Sequence, residues 1–331
     1  MSLDVHLKKS LVLPAVCAPM TMVSGPALVR EACLSGIMGA LPRHNARSRE
    51  EFESWLAAIR RDLDASAAEH PQNIIGPLAV NLIARQSAND IRADVEICAR
   101  YGVRVIISAL GNPAELAKIV HDAGGKVFHD VTNLRFAAKA IEGGVDGLVC
   151  IGSGGGGHSG TLNALAFIPR VREMWDGTII FAGCISSGAA IRAAEVLGAD
   201  LAYLGTRFIA TQESQAPEAY KSLLVSESSD GLMYTERVSG IPANWLKSSL
   251  SRVGLDPDHL PVPISGQPRY QHLPPDVRPW RQIWSAGQGI DLIHDIPTVA
   301  ELVLRLRREY VAACAAPHMG AAARDCLNGV A

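Results

Sequence analysis

Apolar runs of four to eight residues alternate with longer stretches of helical periodicity from residue 11 to about residue 210. The runs are rich in β-branched residues, as expected for strands that are buried on both faces of a parallel sheet. Eight strands are predicted, at residues 11–18, 37–41, 75–81, 103–108, 126–129, 147–151, 178–182 and 201–205.

The segments between these strands have the apolar spacing of helices. They cover residues 27–35, 50–68, 90–101, 113–122, 134–142, 164–174 and 189–197. Glycines such as Gly124, Gly143 and Gly198 follow these helices, where left-handed caps are common. Strand–helix alternation is typical of βαβ units, and eight strands favour a closed (β/α)8 TIM barrel over an open sheet.

The alternation ends after Thr211. Residues 216–280 are rich in Ser, Pro and Gly and predict a smaller, mainly helical or irregular cap that is inserted after strand eight beside the barrel mouth. The expected division is a barrel of residues 1–215 and 281–331 with residues 216–280 as the cap. Three aromatic residues of the cap either line a pocket or belong to a core: Tyr234, Trp245 and Tyr270.

The C-terminal part of the chain regains helical periodicity. An amphipathic helix is predicted from Val299 to about Ala313, and a frayed tail is predicted from Pro317.

Composition narrows the class of ligand. The 331 residues are 48% hydrophobic and 19% charged, with a formal net charge of −2 and both signs interspersed. The sequence has no basic footprint for nucleic acid, no polybasic membrane patch and no apolar run of about 18 residues that would span a membrane. We therefore expect a small-molecule ligand.

The cysteines give no indication of a disulfide framework or a zinc site. There are seven, scattered and without a CxxC pair. No His, Asp and Glu cluster has metal-ligand spacing. Reduced thiols and the absence of an evident signal peptide predict a cytoplasmic protein without a bound metal.

Polar and glycine residues cluster where the predicted strands end. Met20 follows the first strand, Asn81 and Ser108 end the third and fourth, and His129 ends the fifth. The carboxyl ends of the strands of a parallel barrel lie at one face, and the active sites of such enzymes are built there.

A glycine run, Gly-Ser-Gly-Gly-Gly-Gly-His-Ser-Gly, follows the sixth strand at residues 152–160. Composition alone permits a flexible linker. However, the run joins a buried strand to a helix and contains a histidine. Because glycine adopts positive φ and lets backbone N–H groups approach a ligand closely, we interpret the run as a nest for a phosphate or for the edge of a flavin ring.

Two adjacent turns indicate a phosphate site. Gly183 and Cys184 follow the seventh strand and lead into a helix that Ser186 or Ser187 can cap. Gly205 and Thr206 follow the eighth strand. Either turn alone is explained equally well as a tight turn with a cap. Together they favour phosphate binding by backbone amides and a helix N-terminus.

His158 is the candidate acid or base, because imidazole titrates near neutral pH and its glycine neighbours in sequence give it nothing bulky to pack on. A single histidine is more often structural, so this hypothesis depends on the glycine run lying at the barrel mouth. His129 ranks lower, since its side chain can point into the helix layer. No lysine at a strand end suits Schiff-base chemistry.

Five segments resemble the nitronate monooxygenase family, formerly called the 2-nitropropane dioxygenases. They are Pro-Ala-Val-Cys-Ala-Pro-Met at 14–20, Val-Asn-Leu at 80–82, Gly-Gly-Gly-Gly-His-Ser-Gly at 154–160, Gly-Ala-Asp-Leu-Ala-Tyr-Leu-Gly-Thr-Arg-Phe at 198–208 and Trp-Ser-Ala-Gly-Gln-Gly at 284–289. The glycine–histidine and Gly-Thr-Arg-Phe motifs are the more specific. The resemblance extends to about residue 310.

The resemblance implies a barrel with non-covalent FMN, whose isoalloxazine ring lies over the strand ends, and His158 as the catalytic histidine. It implies that one set of residues lies against the flavin: Ala18, Pro19, Met20, Asn81, Gly156, Gly157 and Gln288. It assigns the phosphate to a second set: Gly183, Cys184, Gly205 and Thr206.

Two positions depart from the family pattern. Many relatives have an acidic or aromatic residue before the glycines, where this chain has Ile-Gly-Ser at 151–153. Many have lysine where this chain has Asp130. A carboxylate at that position reverses the local charge, which affects the expected substrate more than the cofactor.

The resemblance implies oxidation of an alkyl nitronate or nitroalkane with O2 to a carbonyl compound and nitrite. A homodimer is a compatible oligomeric state. Two alternatives stay open. One keeps the fold and FMN but takes electrons from NAD(P)H, as in FMN-dependent enoyl-acyl-carrier-protein reductases and NADH:quinone reductases. The other is a barrel that binds a phosphorylated metabolite without flavin.

Overall fold

The computed structural model describes residues 3–263 and 270–315. Its strands are β1 (Ala15–Cys17), β2 (Met38–Pro42), β3 (Leu78–Ile83), β4 (Val105–Ala109), β5 (Lys126–Val131), β6 (Gly147–Ile151), β7 (Gly157–His158), β8 (Thr178–Ala182), β9 (Leu201–Leu204), β10 (Leu232–Thr235) and β11 (Ala243–Leu246). All but β7, β10 and β11 form a closed parallel barrel, in which β9 pairs with β1. The predicted TIM barrel is confirmed, and the eight predicted strands are its strands, with some ends shifted by a few residues.

The helices are α1 (Val5–Lys9), α2 (Pro26–Leu34), α3 (Arg49–Glu69), α4 (Ala88–Arg100), α5 (Ala114–Asp122), α6 (Leu134–Glu142), α7 (Ala164–Met174), α8 (Gly188–Val196), α9 (Thr206–Ile209), α10 (Glu218–Ser226), α11 (Lys247–Arg252) and α12 (Val299–Ala315). Several begin at a side chain that accepts a hydrogen bond from a first-turn N–H, which explains where they start. These caps are Ser48, Ser87, Asn133, Asn163 and Ser187. The predicted C-terminal helix is α12, and the predicted tail from Pro317 lies outside the described residues.

The barrel strands divide their side chains between two cores. Outward side chains, such as Val127 and Val131 on β5, pack with the helices. Inward side chains, such as Phe128 on β5, fill the barrel. Leu3 and Leu7 of the N-terminal segment pack against this inner core, and Asp4 pairs with Lys126 at the start of β5, so this segment covers the amino end. The carboxyl ends of the strands form the opposite end, which we call the mouth.

The segment 216–280, which we call the cap segment, combines helices with a small antiparallel sheet in its described residues. β10 pairs with β11, and β11 pairs with β7 of the glycine run, so that Ala243 lies opposite His158. The sequence did not predict this sheet, because β10 and β11 have four residues each and β7 has two. Strands this short have too few positions to show an alternating pattern.

The cap segment has its own hydrophobic core, separate from the two cores of the barrel. Trp245 is fully buried in it, and Tyr270 packs against it. Tyr234 is 43% exposed, and its hydroxyl donates a hydrogen bond to the Ser159 carbonyl oxygen at 3.0 Å. Of the three aromatic residues singled out in the cap, Trp245 and Tyr270 therefore belong to a core, whereas Tyr234 contacts the glycine run.

α12 packs directly onto the start of α8. The backbone N–H of Gly188 donates to Glu309 Oε2 at 2.7 Å, and the Tyr310 hydroxyl donates to Glu195 Oε2 at 2.6 Å. The contact is so close that a Cβ at Gly188 would lie 2.2 Å from the Leu306 carbonyl oxygen. The C-terminal helix is thus part of the barrel wall next to the mouth.

None of the described helices has the length and apolar character needed to cross a membrane. Within residues 3–263 and 270–315, no group of three or more His, Cys, Asp or Glu is arranged to hold a metal ion.

We expect Gly188→Ala to lower the free energy of unfolding by about 2–4 kcal/mol, because the new methyl group would collide with backbone atoms of α12 that move only with the helix. Denaturant titration measures the change. Ala189→Ser, at an exposed position of the same turn, is the matched control and should change stability by less than about 0.5 kcal/mol. Equal stability of the two variants would contradict this packing.

Candidate functional site

The glycine run is a folded loop that is fixed to its neighbours by backbone hydrogen bonds. Gly154 and Gly157 have φ of 77° and 69°, which side-chain-bearing residues rarely adopt. The Gly152 N–H donates to the Ala182 carbonyl oxygen at the end of β8 at 2.9 Å, and the Gly154 carbonyl oxygen accepts from the Gln288 N–H at 2.8 Å. The linker interpretation is therefore wrong.

Segments that are distant in sequence meet at this loop. A Cβ at Gly156 would lie 2.9 Å from both the Gly287 nitrogen and Thr206 Oγ1, and Thr206 Oγ1 accepts a hydrogen bond from the Gly287 N–H at 2.9 Å. A Cβ at Gly154 would lie 2.4 Å from Cys184 Sγ. The structure thus brings the glycine run together with the turns after β8 and β9 and with Gln288.

The turn after β8 has an unusual backbone. Gly183 has φ of 144° and Cys184 has φ of 57°, a left-handed conformation that is uncommon for a residue with a side chain. Cys184 Sγ lies 3.7 Å from the Ser153 carbonyl oxygen and 3.8 Å from Gln288 Oε1. Burial raises the pKa of this thiol, so it stays protonated at neutral pH. Such strained positions cluster at ligand-binding sites.

The N-terminus of α8 is already occupied. Ser187 caps the helix by accepting from the Ala190 N–H at 3.2 Å, and Glu309 places a carboxylate on the Gly188 N–H. A carboxylate at this position competes with a phosphate for the same partial positive charge. The Gly188 and Ala190 N–H groups are thus engaged within the protein. Phosphate binding at this helix N-terminus stays a prediction, and the amides of the preceding turn and of Gly205 and Thr206 are further candidates.

The segment after β1 lies beside the turn after β9. A Cβ at Gly205 would be 3.6 Å from Met20 Sδ and 3.9 Å from Ala18 Cβ. Pro19 lies between these two residues in the chain, and the Met20 N–H donates to Ser24 Oγ at 3.0 Å. Ala18, Pro19 and Met20 therefore lie at the mouth, and their contact with a flavin stays a prediction.

Asn81 lies on the inner side of β3 near the mouth, since the preceding inward residue Ala79 belongs to the inner core. Its side chain is buried and donates through Nδ2 to the Ile107 carbonyl oxygen at 3.1 Å. That bond fixes the orientation of the amide.

His158 lies in β7, half-buried between the glycine run and the cap segment. Its Nε2 is 3.5 Å from Ser239 Oγ, and its ring meets Trp280 edge-on at a centroid distance of 5.0 Å. Trp280 itself has φ of 61°, in the left-handed region. His158 has no bulky neighbour within its own sequence segment, but Trp280 reaches it from a remote part of the chain.

His129 does not belong to the mouth. It alternates with the inward residue Phe128, and its Nδ1 lies 2.7 Å from Ser108 Oγ in the layer between strands and helices. Burial lowers the pKa of His129 to about 4, so the ring is neutral at physiological pH. Its lower rank as a candidate agrees with this position.

Asp130 lies at the mouth, and the sequence alone indicated no role for it. It follows His129 on β5 and points into the barrel. Burial raises the pKa of Asp130 to about 7, and its Oδ1 is a buried atom without a hydrogen-bond partner among the described residues. Tyr203 on β9 faces the same interior, and burial, with the negative charge of Asp130, raises the pKa of its phenol well above the ordinary value.

We expect Asp130→Asn to stabilise the protein at neutral pH. The folded carboxyl keeps its proton up to about pH 7, whereas an unfolded Asp releases it near pH 4. The unfolded state therefore binds fewer protons between these values, and stability falls as the pH rises through this window. Asn carries no charge to bury, so the variant should be more stable by up to about 4 kcal/mol at about pH 8 and equal to the wild type near pH 4.

Denaturant unfolding at both pH values measures this difference. Asp122→Asn, at an exposed position at the end of α5, is the control and should show no such pH dependence. A stability difference between Asp130→Asn and the wild type that stays constant with pH would show that Asp130 titrates normally.

Comparison with known proteins places these observations in a family. A nitronate monooxygenase family model matches residues 56–309. A nitronate monooxygenase from Paraburkholderia phytofirmans is 27% identical, with 89% of this chain and 92% of the relative covered. A (3aS,4S,5R,7aS)-5-hydroxy-7a-methyl-1-oxo-octahydro-1H-indene-4-carboxyl-CoA dehydrogenase from Mycobacterium tuberculosis is 30% identical over 72% of this chain, which spans 64% of the length of that relative.

Solved structures share the fold. A nitroalkane oxidase from Streptomyces ansochromogenes superposes with a TM-score of 0.73 at 23% identity, covering 93% of this chain and 99% of the other. FabK from Thermotoga maritima superposes with a TM-score of 0.72 at 22% identity, covering 92% of this chain and 95% of the other.

Proposed function

Because the chain belongs to the nitronate monooxygenase family, a family of flavin oxidoreductases, we propose that it binds FMN at the barrel mouth and oxidises alkyl nitronates, or nitroalkanes after deprotonation. O2 is the co-substrate, and a carbonyl compound and nitrite are the products. That the chain is an oxidoreductase follows from the family. FMN as the flavin, the nitronate substrate and the roles of individual residues are the proposal.

The observation that supports the proposal most strongly is the convergence at Gly156. Its backbone lies so close to Gly287 and Thr206 that no side chain fits there, and the turns after β8 and β9 lie beside it. Loops at this position of a parallel barrel commonly bind phosphate through backbone amides. Inside the mouth, Asp130 Oδ1 has no hydrogen-bond partner among the described residues. The ring of a bound flavin would supply one. The residues present therefore fit a flavin mononucleotide.

In this arrangement Gly183, Cys184, Gly205 and Thr206 hold the phosphate. Ala18, Pro19, Met20, Asn81, Gly156, Gly157 and Gln288 position the ring. When bound, FMN supplies the redox chemistry of the reaction. β11, in the described part of the cap segment, pairs with β7 and thereby holds His158 at the mouth.

His158 serves as the base for neutral nitroalkanes. Its Nε2 takes the proton from the carbon that bears the nitro group, which leaves the nitronate anion beside a protonated imidazole. Ser239 and Trp280 orient the ring, and the imidazolium charge then holds the anion. A substrate that arrives as a nitronate needs only this last interaction.

We expect His158→Asn to lower kcat/KM for neutral nitroethane at least about a hundredfold, because proton abstraction loses its base. Turnover of pre-formed ethyl nitronate should fall much less. Oxygen consumption and nitrite release measure both. His121→Asn, at an exposed histidine on α5, is the control and should behave as the wild type. Undiminished turnover of neutral nitroethane by His158→Asn at neutral pH would show that His158 is not the base.

We expect Gly156→Ala to weaken FMN binding at least about tenfold, because the added methyl group pushes Gly287 and Thr206 away from the loop. Gly155→Ala is the matched control in the same loop. Its Cβ would meet only ordinary contacts at 3.4 Å, to Ile151 Cγ2 and Ser159 Cβ. Fluorescence titration of the apoproteins with FMN compares the two. Equal affinities would show that the close approach at Gly156 does not shape the flavin site.

A second candidate function is favoured by one observation. Two relatives at 30% and 28% identity, from Mycobacterium tuberculosis and Rhodococcus jostii, are named as carboxyl-CoA dehydrogenases. The same flavin site would then exchange electrons between a nicotinamide and an acyl substrate. Anaerobic stopped-flow mixing with a nitronate, NADH or NADPH separates the two functions, since a true donor bleaches the flavin absorbance within the turnover time. A purified protein that is colourless and takes up no FMN would overturn both.

A further inference from the structure

A carboxyl group faces the inside of the barrel at the mouth. On β5, Phe128 belongs to the inner core, whereas Val127 and Val131 pack with the helices. The alternation of a strand therefore directs Asp130 inward. Asp130 pairs in register with Val149 of β6, which is also a member of the inner core. The wall around this carboxyl group is apolar.

One oxygen of this carboxyl group, Oδ1, is buried and has no hydrogen-bond partner among the described residues. In the described part of the chain, four buried side-chain atoms have no hydrogen-bond partner: Arg60 Nε, Asp94 Oδ2, Ser248 Oγ and Asp130 Oδ1. Of these four, Asp130 is the one on a barrel strand. An unpaired buried oxygen costs free energy, and in native proteins it commonly marks a place where a ligand or water completes the bonding.

Few charged or titratable side chains surround Asp130. The inward residues of the neighbouring strands, Val105 and Ile107 on β4 and Val149 on β6, are apolar. Tyr203 on β9 is the titratable group that interacts with Asp130, and His158 lies on the cap side of the mouth. Burial raises the pKa of Asp130 to about 7, so below that pH the group retains a proton that it can donate.

We propose that the carboxyl group of Asp130 donates a hydrogen bond through its proton to an acceptor atom on the ring edge of the bound flavin. This inference rests on the flavin site proposed above. Asp130 is then a second proton-bearing group of the site, on the barrel side of the ring, whereas His158 serves the substrate from the cap side.

The proposal couples flavin binding to one proton. A carboxyl group that donates in the complex must keep its proton there, so its pKa rises when the flavin binds. Above the value of about 7 for the ligand-free protein, binding must first restore the proton, and affinity falls by up to about tenfold for each pH unit. Below that value this group leaves the affinity unchanged.

The experiment is a titration of the full-length apoprotein with FMN at about pH 6 and about pH 8.5, for the wild type, Asp130→Asn and His158→Asn. We expect the wild type and His158→Asn to bind at least about fivefold more weakly at the higher pH, and Asp130→Asn to lose that difference. The FMN phosphate titrates near pH 6, and its contribution cancels when the variants are compared with the wild type.

A second measurement needs neither a variant nor flavin. The infrared spectrum of the wild-type apoprotein should contain a protonated-carboxyl band at about pH 6 that disappears by about pH 8.5, because ordinary carboxylates are already ionised at the lower value. Absence of that band, or identical pH profiles for the wild type and Asp130→Asn, would overturn the role of Asp130. Failure to bind FMN at either pH would instead contradict the proposed function.

Discussion

The site depends on one close approach between backbones. At Gly156 the chain after β6 contacts the Gly287 amide and the Thr206 hydroxyl with no room for a side chain between them. This contact joins three segments: the glycine run, the turn that begins α9 and the segment that leads back from the cap to α12. With a larger residue at Gly156 the three segments would separate, and the amides that line the mouth would no longer converge.

The mouth is enclosed by elements with different structural roles. The barrel supplies inward side chains from below, among them Asn81 and Asp130, and an apolar wall that shifts the protonation of the carboxyl group. The cap segment supplies β11, which pairs with β7, and Trp280, which packs against His158. The two ionisable groups therefore differ in environment: Asp130 has apolar inward neighbours on the adjacent strands and interacts with Tyr203, whereas His158 lies near a hydroxyl and against an aromatic ring. Such a difference allows one site to contain groups that hold and release protons separately.

The wall of the barrel constrains the cofactor as well. In many barrels a helix N-terminus near the seventh strand is available to a phosphate, but here Glu309 of α12 occupies the N-terminus of α8. The same contact fastens the C-terminal helix to the barrel. The backbone N–H groups at the start of α8 can either hold α12 in place or bind an anion. In this chain the Gly188 N–H binds Glu309 of α12. The turns at Gly183 and Gly205 are what remains for an anion.

The barrel and the position of its mouth could be predicted from the amino-acid sequence, because both follow from local patterns. Each strand is a short apolar run, each helix has the matching periodicity, and the glycine run at 152–160 shows where the backbone can approach a ligand. Residues that interact across long sequence distances were beyond such reasoning. Glu309 reaches Gly188 over a separation of 121 residues, and Trp280, the last residue of the cap segment, packs against His158 although the two are far apart in sequence. The sequence likewise could not show that Asp130 Oδ1 lacks a hydrogen-bond partner. That depends on all of the elements that pack around the side chain. These contacts form only when the chain folds, because burial and hydrogen bonding depend on which segments pack together.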